Sequence, residues 1–509
     1  MYHFWMNFFC SSHPGGPVMP EERKMLAAPE HIPGIMAGVM LGLLLAALDG
    51  TIVSTVMPTI GHQLNGMELY VWPFTVYLLA STLAIVIFGK LSDIFGRKPV
   101  FLAGILIFLA GSIGSGLSPG MVSLILFRTI QGIGGGILMT VSFIMVAELF
   151  PIWLRGKYMG ILASVYGIAS IIGPALGGII TETIGWPWVF FLNIPLGVVS
   201  LLMVRVWFPT LPPVAPSHPV DYAGIILFTA AMVPLFLGLS LAGSVYAWTS
   251  PEILVMVSAA VVFSFLFIRT QLGAVEPIIA VRMFKNRVFS ITMVVAFLSN
   301  AIFYTAIIYL PLFMQDVLKT GASTAGLVIT PMVLSMILAA LITGQIISRT
   351  RRYRNLALCG FILIGVATVI FALLKSDTSF LVIILGSLLL GYGSGIMHPL
   401  LSIAAQNAFT QREIGVITSS LQFSRNMGAT IITPLLGVIM YGALHSSKGS
   451  IDLTVIPPDL FTNAITLVFD ACLVLVVLAL FATWLLEDVR LESRTPVDPA
   501  KASAPDGCS

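Results

Sequence analysis

The chain has 509 residues, of which 58 % are hydrophobic and only 9 % charged, with a mean hydropathy of +1.01. Soluble domains are about 45–50 % apolar and about 25 % charged. A soluble globular protein is therefore excluded, and a polytopic membrane protein that is helical throughout the bilayer is expected. The net charge of +3 resides in loops and calls for no nucleic-acid partner. Cys10, Cys359, Cys472 and Cys508 have neither metal nor disulfide spacing. The first basic residue is Arg23, so the start lacks the charged region of a cleavable signal peptide. Two readings stand for it: a disordered or interfacial tail, or translation from Met19 or Met25.

Apolar runs of spanning length, about 20 residues each, fall at 34–60, 68–89, 99–118, 121–149, 157–181, 187–207 and 223–243. Seven more follow at 251–271, 288–314, 323–347, 355–374, 379–402, 413–441 and 462–485. With the N-terminus inside, twenty of the 25 Lys and Arg residues fall on the cytoplasmic side. The outer loops hold only Lys319, Lys375 and Lys448, while Arg128 and Arg425 lie within helices. This asymmetry sets the orientation, with both termini cytoplasmic.

The stretch GKLSDIFGRKP (89–99) reads as a tight cytoplasmic loop between the second and third spans. Gly89 and Gly96 permit the turn and Pro99 suits a first helical turn. Asp93 and Arg97, four apart, can bind each other or partners on other helices. Further on, QGIGGGI (131–137) aligns with LGYGSGI (390–396). IIGPALGGII (171–180) aligns with IITPLLGVIM (431–440), identical at six of ten positions, and GKLSDIFGR has a worn echo in GQIISRTRR (344–352). Helices 1–6 and 9–14 are thus read as two related bundles in one orientation. The expected division is a tail at 1–33, a six-helix bundle at 34–207, a Pro-rich linker at 208–222, two inserted helices at 223–271, a second linker at 272–287, a six-helix bundle at 288–485 and a tail at 486–509. Two parallel halves around a midplane site make a transporter that rocks one half against the other. The glycine strings lie inside apolar spans and read as helix-packing positions, and GxxxxGK[ST] is absent, so an ion gradient rather than ATP is the expected energy source. Neither a catalytic constellation, nor a cofactor, nor a metal site is read.

The 89–99 string closely resembles the loop signature of the major facilitator superfamily. LDGTIVSTVMPTI (48–60) and RTIQGIGGGIL (128–138) resemble the first- and fourth-helix signatures of its fourteen-helix drug:proton antiporter subfamily. GIASIIGPALGG (167–178) matches the helix-5 pattern of exporters, while DYAGIIL (221–227) and FKNRVF (284–289) resemble the entries to helices 7 and 9. The resemblance covers about 34–486. It implies the major facilitator fold and multidrug efflux by proton antiport at the cell membrane.

Depth along the helices groups the candidate residues. At 1.5 Å per residue, Asp49 lies about 22 Å in from the cytoplasmic face and Arg128 about 10 Å below the outer face, nearly level. The resemblance links this acid and arginine to proton coupling and to the cavity. Desolvation favours the neutral acid and the arginine favours its release; the alternative is a structural pair joining helices 1 and 4. Gln131, one turn from Arg128, can share their network. Glu148 falls at the level of Arg97, and Asp93 can meet the positive N-terminal end of helix 13 near Gly415. With Gly89, Gly96 and Lys98 these residues form an expected cytoplasmic gate that latches only while the inner side is closed; constant loop packing is the alternative. On helix 5, Gly167, Gly173, Pro174, Gly177 and Gly178 form the exporter pattern, with Gly173 and Gly177 on one face for close helix approach. Arg425 and Asp470 come to equal depth, about 18 Å from the inside, and are expected to pair. Trp72, Tyr77, Asn300, Tyr304, Tyr309 and Gln422 are the aromatic and polar candidates for a substrate cavity. His398 can titrate, though a lone histidine is more often structural.

The expected function is a monomeric, proton-driven exporter of small amphiphilic compounds. A dedicated exporter of one endogenous product, such as a siderophore, lipid or natural product, and a non-transporting membrane sensor are the rival readings.

Overall fold

The computed structural model describes residues 31–65, 69, 72–210, 220–242, 246–274, 276–279, 281–320, 329–350, 353–409, 413–446 and 457–486. The expected terminal tails, most of the Pro-rich linker, Lys448 and the end of GQIISRTRR lie outside these residues, as does the side chain of Pro174.

The spans fold as α1 (Ile32–Gln63), α2 (Trp72–Phe95), α3 (Arg97–Gly116), α4 (Met121–Leu149), α5 (Ile152–Thr183) and α6 (Pro187–Trp207, broken once at Leu192). Two further helices, α7 (Tyr222–Leu241) and α8 (Pro251–Gly273), precede α9 (Arg287–Asp316), α10 (Ile329–Thr350), α11 (Arg354–Ala372), α12 (Phe380–Asn407), α13 (Ile414–Ser446) and α14 (Pro458–Trp484). Thirteen are straight enough and apolar enough to cross a membrane. The fourteenth, α5, bends by 41° between Ser170 and Ala175, where Pro174 cannot donate a backbone N–H to the preceding turn. The all-α membrane architecture expected from the apolar runs is the one observed.

Local chemistry sets several boundaries. Asp221, Ser250 and Asn286 cap α7, α8 and α9 by accepting from the backbone N–H of Gly224, Ile253 and Phe289. Gly96 holds φ at 92°, a value that β-carbon sterics disfavour, and this lets α2 turn directly into α3.

The glycine strings bring helix backbones together. β-Carbons at Gly132 and Gly136 would strike the carbonyls of Tyr77 and Ser81 on α2, and one at Gly134 would strike the backbone of Phe108 on α3. The aligned positions on α12 repeat this. Gly391 and Gly395 face the carbonyls of Met332 and Met336 on α10, and Gly393 faces that of Gly360 on α11. The sequence repeat is therefore a repeat of packing: α4 sits between α2 and α3 as α12 sits between α10 and α11. On this basis Gly134→Val should overpack the α3–α4 contact, a change that costs about 1–3 kcal/mol, and lower the melting temperature. Gly178→Ala is the control, because a β-carbon there meets nothing within 4 Å. Thermal unfolding of the two purified variants checks this, and equal melting temperatures would contradict it.

One apolar core gathers residues of α9–α14, and two others gather residues of α1–α6. The two sets of helices meet where α2 and α10 end and where α5 and α13 begin. A β-carbon on Gly156 would lie 2.7 Å from the Gly344 carbonyl, and one on Gly160 would lie 2.7 Å from that of Ala340. On the other side, Gly89 abuts Ser419 and the Asn426 amide donates to the Thr82 hydroxyl at 3.5 Å. The inserted helices cover this second seam. Phe228 of α7 lies 5.4 Å from the ring of Phe423 on α13 and packs with Val86 of α2, while Phe236 packs with Leu79 and Met427.

Candidate functional site

Three polar centres are built into this apolar frame. The first joins α1, α2 and α4. Arg128 Nη1 donates to Asp49 Oδ2 at 2.5 Å and to Gln131 Oε1 at 2.9 Å, and Gln131 Nε2 donates to Asp49 Oδ1 at 2.8 Å. The triangle is closed and buried, with Asp49 2 % exposed and both α4 side chains fully buried. Arg128 Nε reaches the Pro73 carbonyl at 3.5 Å, and the guanidinium lies 4.2 Å from the centre of the Tyr77 ring. Arg128 Nη2 is sealed without a hydrogen-bond partner. This arrangement follows from the glycines: without side chains at 132 and 135, α2 approaches α4 closely enough for Tyr77 to lie against Arg128.

The second centre is the 89–99 turn. Arg97 forms an ion pair with Asp93, donates from Nε and Nη2 to Glu148 at 2.8 and 2.6 Å, and from Nη1 to the Ser92 hydroxyl at 2.6 Å. The Asp93 carboxylate lies against Gly415 in the first turn of α13, so close that a β-carbon on Gly415 would overlap it. Both carboxylate oxygens are buried, and the Arg97 guanidinium is their ion-pair partner. The charge of Arg97 and the positive end of the α13 dipole favour an anion there. The expected meeting of Asp93 with helix 13 is present. Lys98 is placed elsewhere than expected: its ammonium caps α6 through the Phe208 carbonyl at 2.7 Å and does not join the Asp93–Arg97–Glu148 group. Lys90 instead makes an ion pair with Glu276, in the segment that links α8 to α9. Lys90 lies on α2 and Lys98 on α3, and the turn at Gly96 sends the two in different directions, which counting charges does not resolve.

On α5 the glycine pattern divides. Gly173 and Gly177 face Thr51 and Ile52 of α1, as expected from their shared face, whereas Gly167 faces Ile337 and Val333 of α10 and Gly178 faces open space.

The third centre corrects an expected ion pair. Arg425 does not meet Asp470. Its Nη1 donates to Gln422 Oε1 at 2.7 Å, and its Nη2 donates to the His398 carbonyl at 2.8 Å and the Ser402 hydroxyl at 3.4 Å. Asp470 is exposed on α14. Equal depth places two residues on one level but leaves their directions around the helix axes free; here Arg425 turns inward and Asp470 outward.

The cavity candidates also separate. Tyr77 belongs to the first centre and sends its hydroxyl to the Ala46 carbonyl at 3.3 Å. Tyr309 is buried, and its hydroxyl donates to the Thr433 carbonyl at 3.3 Å, joining α9 to α13. Asn300 donates to the Arg425 carbonyl at 3.0 Å, and Gln422 accepts from the same residue, so both support the third centre. Tyr304 is 42 % exposed and Trp72 half-buried, and these two remain open to a ligand. Sequence reasoning missed Ser92, Glu276 and Ser419. Ser92 carried a signal, being one residue from Asp93 and five from Arg97.

Helices of this length around buried ionic centres, in two packed groups, form the frame of a membrane transporter. The chain belongs to the Major Facilitator Superfamily, whose family model matches residues 39–433 and 293–505. It is 36 % identical over 384 residues to Multidrug transporter protein MdtP of Bacillus subtilis, which covers 75 % of this chain and 71 % of that one. It is 31 % identical over 400 residues to the Acurin A biosynthesis cluster MFS-type transporter of Aspergillus aculeatus, covering 77 % and 71 %. Among solved structures, the proton:xylose symporter XylE superposes with a TM-score of 0.62 at 14 % identity, over 91 % of this chain and 98 % of that one. Relatives named as multidrug transporters and efflux pumps support efflux as the kind of transport.

Proposed function

We propose that the protein is a proton-coupled antiporter that exports small amphiphilic compounds across the cytoplasmic membrane by alternating access, with both termini in the cytoplasm. The observation that carries this is the buried Asp49, held between Arg128 and Gln131. A carboxylate in this setting can exchange one proton, and doing so changes the net charge of the triangle from zero to +1. Such a change in a medium of low polarity is large enough to bias one packing of the halves over another. The α2–α13 contacts supply the element to be biased. Asp93 on the first turn of α13 and Gly89 on Ser419 exist only while the cytoplasmic ends are together, and opening exchanges them for water. Arg97 and Glu148 hold Asp93 in place for each closure. The small faces of Gly173 and Gly177 against α1 connect this motion to the helix that carries Asp49.

A dedicated exporter of one endogenous product is the second reading, favoured by the likeness to a transporter of a fungal biosynthesis cluster. Everted membrane vesicles separate the readings. The expected result is uphill accumulation of several unrelated fluorescent amphiphiles when the lumen is acidified, abolished by a protonophore. Accumulation that ignores the protonophore would contradict proton coupling, and failure of the whole amphiphile panel would favour the single-product reading.

A further inference from the structure

Among the described residues four arginines are buried in the helices: Arg97 and Arg155 in the first turns of α3 and α5, and Arg128 and Arg425 deep within α4 and α13, and this last pair is treated differently. Arg128 is offset by Asp49. Arg425 is 5 % exposed and surrounded by neutral groups: a glutamine oxygen, a serine hydroxyl and a backbone carbonyl. Among the described residues it makes no ion pair. A guanidinium cannot shed its proton to escape this. A buried cation without a counter-charge is costly enough that it marks a functional site by default.

The remainder of the site has the features of a receptor. A guanidinium has five N–H donors, and three hydrogen bonds are made by Arg425, so part of the fork is unused. Asn300 fixes the backbone of Arg425 from α9, and Gln422, Ser402 and the His398 carbonyl fix its head. Tyr304 lies one turn beyond Asn300 on the same face of α9. Asn426, the residue after Arg425, donates to Thr82 of α2 on the opposite set of helices, so Arg425 sits on a helix that forms the seam between the two sets. Tyr304, partly open, packs edge-on against Phe303 with ring centres 5.9 Å apart.

We infer that Arg425 is the attachment point for the acidic group of the exported compound, and that the protein therefore carries amphiphilic organic anions, aromatic carboxylates above all. The planar fork matches a carboxylate, and the partly open Tyr304 offers a hydroxyl and a flat apolar wall to the body of the ligand. The assignment deepens the efflux reading and rests on it for the word substrate. It also accounts for an arginine whose charge the fold leaves unneutralised.

The test uses the full chain in nanodiscs and three matched probes: 2-naphthoate, methyl 2-naphthoate and 2-naphthylmethylammonium. Binding is read by tryptophan fluorescence. The expected order has naphthoate tighter than its ester by at least about tenfold, as a charge-assisted bond provides, with the ammonium weakest. Arg425→Gln should erase the difference between naphthoate and ester while leaving the ester unchanged. Arg425→Lys retains the charge without the fork; it should weaken naphthoate severalfold, and it decides the matter if the glutamine variant does not fold. Wild-type protein that binds ester or ammonium as tightly as naphthoate overturns the inference, as does a naphthoate preference that survives in folded Arg425→Gln or is undiminished in Arg425→Lys. The two readings fail separately. Selective naphthoate binding without gradient-driven movement would sink efflux and retain the site. Gradient-driven movement of ester and ammonium with naphthoate excluded would retain efflux and sink the site.

Discussion

Asp49→Asn abolishes gradient-driven export, reducing it to the rate of empty vesicles, while substrate binding persists. The expectation comes from the closed triangle of Asp49, Arg128 and Gln131. Asparagine keeps the shape of the side chain but cannot exchange a proton. It also sets an amide donor against Gln131 Nε2 and leaves Arg128 without a counter-charge. Breaking a buried pair on one side alone costs about 3–5 kcal/mol, so loss of stability accompanies loss of coupling in the single variant. The double variant Asp49→Asn/Arg128→Gln separates the two effects. Removing both charges from a buried pair is often close to neutral for stability, so the double variant should recover the melting temperature and still fail to drive uphill transport. Full uphill transport by the folded double variant would reduce the pair to a structural tie between α1 and α4.

Gly89→Val should trap the protein with its cytoplasmic ends apart. A side chain at 89 overlaps Ser419 when α2 and α13 are together and meets nothing once they separate. Overpacking of this kind costs about 1–3 kcal/mol, and 1.4 kcal/mol already shifts an equilibrium about tenfold. Because the penalty falls on the closed state alone, it moves the population instead of unfolding the protein. Gly415→Val should act in the same direction by displacing the Asp93 carboxylate. Spin labels at the exposed positions Phe95 of α2 and Thr350 of α10 report the separation of the two sets of helices. The longer distance should dominate in both variants, with turnover reduced at least about tenfold. An unchanged distance distribution would mean that the contact is static packing.

The spans and the repeat were legible because the bilayer imposes length and apolarity on every crossing. The packing glycines of α4 and α12 were legible from their i, i+4 spacing, which sets Gly132 and Gly136 on one face and Gly391 and Gly395 on its counterpart. Depth arithmetic brought Asp49 and Arg128 to one level, and their contact followed because the close approach of α2 and α4 leaves the arginine no other acid. The same arithmetic failed for Arg425 and Asp470, since level says nothing about the direction in which a side chain leaves its helix. Lys98 was misjudged for a related reason: its partner, the Phe208 carbonyl, is set by where α6 ends, and the partner of Lys90, Glu276, is likewise set by where the α8–α9 link runs. The seat of the inserted helices was equally hidden. Nothing in the apolar run of α7 indicates that Phe228 and Phe236 cover the α2–α13 seam, because an all-apolar surface matches lipid and protein alike.

The proposed coupling requires Asp49 to give up its proton as substrate binds. Substrate-induced proton release by purified protein in a weakly buffered solution with a pH-sensitive dye tests it most directly. The account predicts a release that saturates with substrate in the wild type and is absent from the folded Asp49→Asn/Arg128→Gln variant. Release of equal size from that variant, or saturating binding to the wild type with no release across the pH range in which it transports, would contradict it.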